Sequence, residues 1–361
     1  MPSAPVIRID DLAISFRTDR GIVQAVRGIS LYVNHGETLA IVGESGSGKS
    51  AAARALIGIS AANCSIERGS VLFNGDNILT YTDADFDALR GTKIAMVFQD
   101  PFSSLDPIMP VGKQLTEAML LRNRRVPKQE RITRSAAHER AVQLMRDVGI
   151  SEPEKHFYQY PFELSGGMRQ RVVIAIAIAA RPDVLICDEP TTALDVTIQA
   201  QILDVINALK IERHMAVIFI THDLGVVAQV ADRVAVMYAG KIVEEGTTDD
   251  IFSAPAHPYT WALLQAVPDG DTPQGALTAI PGTPPDMTHP PRGDAFASRN
   301  RYAMRIDFER EPPLFPISET HRAATWLLHP DAPKVTPPEA VLERIARMKR
   351  QIQQQPEQAH G

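Results

Sequence analysis

The sequence predicts an α/β fold built on a mostly parallel sheet, with a helical insertion in the middle and a smaller unit at the C-terminal end. Three observations carry this. The runs TLAIVG (38–43), VLICDE (184–189) and AVIFITH (216–222) are apolar nearly throughout, as strands buried on both faces of a parallel sheet are. Helical patterns alternate with such runs through about residue 250. Residues 100–165, by contrast, show helical spacing and no clear strand.

Taken in order, strands are expected at VIRIDDLAISF (6–16), LYV (31–33), TLAIVG (38–43), SVLF (70–73) and IAMVFQ (94–99). Further strands follow at VLICDE (184–189), AVIFITH (216–222), VAVMY (234–238) and KIVEE (241–245), with Ala239-Gly240 as a hairpin turn between the last two. In the insertion, VGKQLTEAMLLR and SAAHERAVQLMRDVG read as helices; Ser135 is expected to cap the second and Gly149 to end it. GGMRQRVVIAIAIAA reads as a helix that stops at Arg181-Pro182. The boundaries predicted are a first domain over 1–255 with a helical subdomain at about 100–165, then a C-terminal domain over 256–336. The latter opens with HPYTWALLQAVP (257–268) and contains a Pro-rich linker at 280–291. Over residues 337–361, an amphipathic helix places Val341, Ile345, Met348 and Ile352 on one face and is expected to dock on its own domain. The tail QQQPEQAHG is expected to be disordered.

Bulk composition narrows the function classes. The 361 residues are 44% apolar and 22% charged, an ordinary globular balance. Net charge is −6, so no basic excess points to nucleic acid as a main partner. Cys64 and Cys187 are no disulfide framework, and Cys187 sits in an apolar run as a small core residue would. The N-terminus MPSAPVIRIDD has no secretory pattern, and the longest apolar run, VVIAIAIAA, is too short for a bilayer, which needs about 20 residues. A chain soluble by itself is expected, with any membrane role coming through a partner.

GESGSGKS (43–50) fits G-x-x-x-x-G-K-[ST], after a buried strand and before a helical pattern. That context marks a P-loop NTPase. Gly43, Gly46 and Gly48 allow backbone angles that turn successive N–H groups inward around phosphates. The cradle is expected to run through Gly43, Glu44, Ser45, Gly46, Ser47, Gly48, Lys49, Ser50 and Ala51. Lys49 would reach the β- and γ-phosphates of ATP, and the Ser50 hydroxyl would bind Mg²⁺. VLICDE delivers two carboxylates at a strand end, where α/β sheets bind ligands. Asp188 would hold Mg²⁺, and Glu189 would orient and polarise the water that attacks the γ-phosphate. Gln99, at another strand end, would contact Mg²⁺ or that water and report the nucleotide state to the helical insertion. His222, at a third, would bond the γ-phosphate. Phe16 is assigned to stacking on adenine.

LSGGMRQ (164–170) raises a separate question. Ser165, Gly166 and Gly167 begin a helix with no acidic group, which is a second anion site. Since 43–50 already forms a complete cradle, two phosphate sites on two lobes suggest face-to-face pairing. Each chain's 165–167 would close over the ATP of its partner, with TALD (192–195) and Asp195 along the seam.

These motifs together resemble the nucleotide-binding subunits of ABC transporters. Residues 43–50 match Walker A, Gln99 the Q-loop, 164–168 the signature, 184–189 Walker B, 192–195 the D-loop and His222 the switch histidine. The resemblance covers residues 6 to about 255 and implies an ABC ATPase domain: a RecA-like core with antiparallel β and helical subdomains. Met168 departs from the general signature, which has glutamine there. HPYTWALLQAVP followed by IPGTPPD resembles the C-terminal extension of oligopeptide/dipeptide importer ATPases. Many relatives carry four cysteines there that hold an iron–sulfur cluster; Asp294, Asn300, Asp307 and Thr325 stand at those positions here, so no cluster is expected. GDAFASRN, YAMRIDFEREPP and SETHRAATWLL resemble the cysteine-free oligopeptide-importer branch.

The resemblance implies an ATPase that powers oligopeptide import from the cytoplasmic face of the cell membrane. Its partners would be a second, related ATPase subunit, two transmembrane permeases and an extracellular peptide-binding protein. Import of dipeptides, glutathione, nickel or oligosaccharides by the same machinery is the alternative. An exporter is disfavoured by the C-terminal extension. An ABC ATPase acting on DNA or ribosomes is disfavoured by the acidic charge, the single cassette and the short separation of Ser50 from Leu164.

Overall fold

The computed structural model describes residues 4–123, 126–191, 194–266 and 280–354, with only the backbone given for residue 196 and residues 348–354. Strands β1 (Ile7–Thr18), β2 (Gly21–Val33) and β3 (Thr38–Val42) lead into helix α1 (Lys49–Ala55). Next come β4 (Cys64–Phe73), β5 (Asp76–Asn77), α2 (Asp83–Leu89) and β6 (Ile94–Val97). Helices α3 (Val111–Arg122), α4 (Arg134–Asp147), α5 (Pro153–His156) and α6 (Gly166–Ala179) follow before β7 (Val184–Asp188). Then α7 (Val196–Arg213), β8 (Ala216–Thr221), α8 (Leu224–Val230), β9 (Arg233–Tyr238) and β10 (Lys241–Thr247) complete the large sheet's core. The C-terminal elements are α9 (Thr248–Ser253), α10 (Pro258–Ala266), α11 (Arg305–Glu309), β11 (Phe315–Pro316), β12 (Arg322–Ala323) and α12 (Glu339–Gln354).

Two sheets form among the described residues. One is antiparallel, in the order β2-β1-β4-β5. The other runs β11-β12-β10-β9-β3-β8-β7-β6; β9, β3, β8, β7 and β6 are parallel, and the C-terminal strands add antiparallel to the edge. The parallel strands are buried on both faces, and their period-two alternation decides which core each side chain enters. Val184, Ile186, Ile218 and Ile220 face a core shared with the antiparallel sheet and α1. Leu185, Cys187, Val217 and Phe219 face a core shared with α3, α4, α6 and α7. Ala40, Val42, Val234 and Val236 face a third core with Tyr259, Trp261, Phe296 and Val341. The C-terminal third is therefore packed onto the same sheet that carries the P-loop.

Three sequence expectations need correction. The second strand spans Gly21–Val33, not 31–33, and the fourth begins at Cys64, not 70. The missing parts are half-exposed, interrupted by bulges and glycine, and so lack the apolar run that marked the others. The cap of α4 is Thr133, whose side chain accepts from the Ala136 amide at 3.2 Å, and not Ser135, which lies inside the first turn. Gly149, at φ +80°, does follow the end of that helix. Ala239 and Gly240 both have positive φ, as a two-residue hairpin turn requires. Helix α12 docks through Val341, fully buried, and through Arg344, whose Nη1 donates to the Leu264 carbonyl at 2.7 Å. The side chains of Met348 and Ile352, residues 192–193 and 267–268, and most of the C-terminal tail (355–361) lie outside the described residues.

Candidate functional site

Parallel register brings four loops to one edge of the large sheet. Val42 pairs with Thr221, Asp188 with Ile220, and Val97 with Cys187. The residues that follow these strands, 43–50, Gln99, Glu189 and His222, therefore sit side by side at the C-terminal ends.

The P-loop wraps around its own lysine. Lys49 is 5% exposed, and its Nζ donates to the carbonyls of Gly43 at 2.7 Å and Glu44 at 2.8 Å, with Ser47 Oγ at 3.4 Å. Burial lowers the Lys49 pKa, and the carboxylates of Glu189, Asp188 and Glu44 oppose that shift. Gly46 sits in open space, Ser45 is exposed and Ala51, on α1, is half-buried. Gly43 and Gly48 cannot be replaced: a Cβ on Gly43 would lie 2.1 Å from the Met237 carbonyl oxygen, and one on Gly48 2.3 Å from that of Ala25. Gly48 also holds φ +104°. Gly48→Ala is accordingly expected to cost at least about 2 kcal/mol of stability and to weaken nucleotide binding about tenfold or more. Urea unfolding checks the first; an unchanged midpoint would show that the loop has room to relax.

Beside the cradle, Ser50 Oγ donates to Asp188 Oδ1 at 2.9 Å. Asp188 is 1% exposed; burial raises its pKa, and the Ser50 hydroxyl and the charges of Arg54 and Lys49 pull it back. Glu189 departs from the strand with φ +50°, a left-handed angle unusual for a residue other than glycine, while its amide donates to the Ile220 carbonyl at 2.9 Å. That turn aims the carboxylate across the sheet edge. Gln99 Nε2 donates to Glu189 Oε2 at 3.2 Å, and His222 Nδ1 lies 3.4 Å from Glu189 Oε1. The geometry thus brings together Lys49, Ser50, Gln99, Asp188, Glu189 and His222.

Other predicted residues stand apart. Ser165 caps α6, its Oγ accepting from the Met168 amide at 3.3 Å. Among the described residues, no hydrogen bond joins Ser165, Gly166 or Gly167 to the P-loop; they present the start of α6 at the surface of the helical lobe. Asp195 caps α7, accepting from the Ile198 amide at 3.0 Å. Phe16 is half-buried on β1, opposite Val23 and Cys64, and packs against the first core.

Three contacts escaped the sequence reading. Gln170, 2% exposed, donates from Nε2 to the Pro190 carbonyl at 2.8 Å, tying α6 to the loop after Glu189. Tyr259 Oη accepts from the Glu44 amide at 2.8 Å. Arg299 pairs with the Glu44 carboxylate, 255 residues away in sequence. The first lies within a motif already read; nothing local signals the other two.

Comparison with known proteins bears on the family and the fold. The ABC transporter family matches residues 26–192, and the oligopeptide/dipeptide transporter C-terminal region matches residues 243–306. The oligopeptide transport ATP-binding protein OppD of Bacillus subtilis (strain 168) is 56% identical over 95% of this chain and 94% of its own length. The dipeptide transport ATP-binding protein DppD of Lactococcus lactis subsp. cremoris (strain MG1363) is 52% identical over 96% and 98%. The oligopeptide transport ATP-binding protein AmiE of Streptococcus pneumoniae serotype 4 is 51% identical over 93% of each. Among solved structures, the ATP-binding cassette MJ0796 in a dimeric post-hydrolysis state bound to ADP and Pi superposes with a TM-score of 0.60 at 24% identity, over 67% of this chain and 98% of that one. The cbiO1 subunit of the Clostridium perfringens cbiONQ complex gives 0.57 at 26%, over 70% and 92%.

Proposed function

The chain belongs to the ATP-binding proteins of the oligopeptide/dipeptide ABC transporters, and from that premise we propose that it binds and hydrolyses ATP to power uptake of oligopeptides. The observation that carries this reading is the meeting of four strand ends on one sheet edge, with Glu189 between Gln99 and His222 beside the Lys49 cradle.

The chemistry follows from the residues. Lys49 exchanges its backbone carbonyl partners for the β- and γ-phosphates, while inward N–H groups of 43–51 bind the rest of the chain of phosphates. Ser50 Oγ, Asp188 and the Gln99 side-chain oxygen are hard oxygen donors clustered at this edge and fit Mg²⁺, which when bound would neutralise charge on the β- and γ-oxygens. Glu189 accepts a hydrogen bond from the attacking water and draws its proton. His222 holds the γ-phosphate side of that geometry, and Gln99 couples it to the helical lobe. Ser165, Gly166, Gly167 and Asp195 serve a second ATPase subunit, closing over that subunit's ATP, and Phe16 stacks on adenine.

The route to the membrane runs through partners. Among the described residues no helix is long and apolar enough to cross a bilayer. Between the sheet and the helical lobe lies a groove of 880 Å³, lined by Ile57, Met96, Phe98, Leu121, Val173 and Ile176 and next to Gln99. Ser103 and Ser104 also line it, and Phe102 and Ile108, in the same loop segment, are exposed apolar side chains, at 66% and 84%. A cytoplasmic helix of a transmembrane permease fits this groove, and its movement would be felt at Gln99. We therefore assign the chain to the cytoplasmic face of the membrane, in a complex of two related ATPases, two permeases and an external peptide-binding protein. Affinity purification from gently solubilised membranes checks the assignment by mass spectrometry. Two polytopic permeases and a second ATPase are expected; ribosomal or DNA-repair partners in their place would overturn it.

A further inference from the structure

Arg299 lies in the C-terminal third, at the end of a short helical turn over Ala297–Arg299, and its side chain is 3% exposed. A guanidinium carries five N–H donors, and here each has an acceptor. Nη1 reaches Glu44 Oε2 at 2.6 Å and Tyr238 Oη at 3.1 Å. Nη2 reaches Glu44 Oε1 at 2.9 Å and the Ile280 carbonyl at 3.3 Å, and Nε the Pro281 carbonyl at 2.8 Å. The pair with Glu44 is a two-pronged fork, which fixes orientation as well as distance. Glu44 is the second residue of the P-loop. Its amide is held as well, by Tyr259 Oη from α10. Tyr238, Tyr259 and Phe296 pack against one another beneath the guanidinium.

The phosphate cradle is therefore held from two sides. Gly43 and Gly48 are pressed against Met237 and Ala25 within the ATPase core. Its Glu44 is held, by both amide and carboxylate, by residues of the C-terminal third. This second set of contacts lies outside the sheet and reaches the P-loop at Glu44 alone. A side chain of such burial, using every donor on one loop residue and its neighbours, is more than a surface ion pair of the kind worth little.

We infer that Arg299 is a positioning residue for ATP binding: through Glu44 it holds the P-loop in its phosphate-binding shape and makes the C-terminal third sense whether that loop is occupied. This rests on the reading of residues 43–50 as the ATP cradle. The chemical logic is pre-organisation. A loop held rigid in its bound shape loses less freedom when phosphate arrives, so loosening it weakens binding without removing any contact to the nucleotide. By reciprocity, nucleotide on the loop stabilises the Arg299 node.

The test uses the purified full-length chain, with the fluorescent nucleotide mant-ATP and Mg²⁺ as the probe. Arg299→Met is expected to weaken binding about tenfold. Arg299→Lys, which keeps the charge but not the fork, is expected to restore only part of it. Glu44→Gln is expected to match Arg299→Met, and the double variant to bind no more weakly than the worse single one, because both changes break one connection. Affinity unchanged in Arg299→Met, or losses that multiply in the double variant, would overturn the inference. Should Arg299→Met fail to fold, Glu44→Gln decides alone, and binding within twofold of the parent chain would refute it. Hydrogen exchange gives a readout that a merely structural role would not move: mant-ATP should slow exchange over residues 294–300 in the parent chain and not in Glu44→Gln. No slowing in the parent chain also overturns it. Lys49→Ala separates the two claims: if that variant binds mant-ATP as the parent does, the cradle reading itself fails, whatever Arg299 does.

Discussion

Glu189→Gln is expected to lower steady-state ATP turnover of the assembled transporter by about 10²-fold or more, while leaving ATP binding intact. The substitution keeps the size and shape of the side chain and an oxygen to accept from Gln99, whose Nε2 lies 3.2 Å from Glu189 Oε2. It removes only the negative charge that can draw a proton from water. The backbone supports reading that charge as purposeful. Glu189 holds a left-handed φ of +50°, a conformation that costs a non-glycine residue free energy and recurs at functional sites. Its carboxylate lies on the same sheet edge as Lys49, whose ammonium it helps keep protonated against burial. Loss of turnover together with loss of binding would instead point to a structural role, and undiminished turnover would remove Glu189 from the chemistry altogether. The two outcomes are separated by measuring phosphate release and nucleotide affinity on the same preparation.

How far the sequence could lead is visible in individual residues. TLAIV, VLICD and AVIFIT were readable as strands because both faces of each are buried, so nearly every side chain is apolar. The loops after them were readable as a site because residue type and strand-end position agree. The half-exposed strand at 21–30 was not, since bulges break its alternation and polar residues occupy its outer face. Thr133 rather than Ser135 caps α4 because two hydroxyl residues stand two positions apart and only the start of the helix, a tertiary matter, chooses between them. The Arg299–Glu44 fork lies beyond any local pattern. An arginine in a loop and a glutamate inside a glycine-rich motif have no periodicity to connect them, and only the packing of the C-terminal third on Tyr238 and Tyr259 brings them together.

That same packing leads to a second large effect, on stability. Asp294 is 7% exposed, and burial pushes its pKa from 3.8 up to about 7. The Phe296 amide, donating to Asp294 Oδ1 at 2.9 Å, works against the shift, and the nearby charges of Asp307 and Glu311 add to it. Asp307, 1% exposed, is raised by burial as well. A carboxyl whose folded pKa lies above its unfolded value binds its proton more tightly when folded. Its favourable contribution is complete below about pH 4 and is lost as pH rises through about 7, where the folded state must either keep a proton that the solvent would take or bury a charge. The chain is therefore expected to lose stability between about pH 4 and pH 7. Asp294→Asn, which resembles the protonated form, should flatten that dependence and be the more stable protein at pH 8, by up to roughly 4 kcal/mol. Urea unfolding of the two proteins at pH 5, 6.5 and 8 measures this directly. Curves that stay parallel across the series would mean that Asp294 does not hold its proton in the folded state, and that the pH dependence of the C-terminal third must come from elsewhere, Asp307 first among the groups beside it.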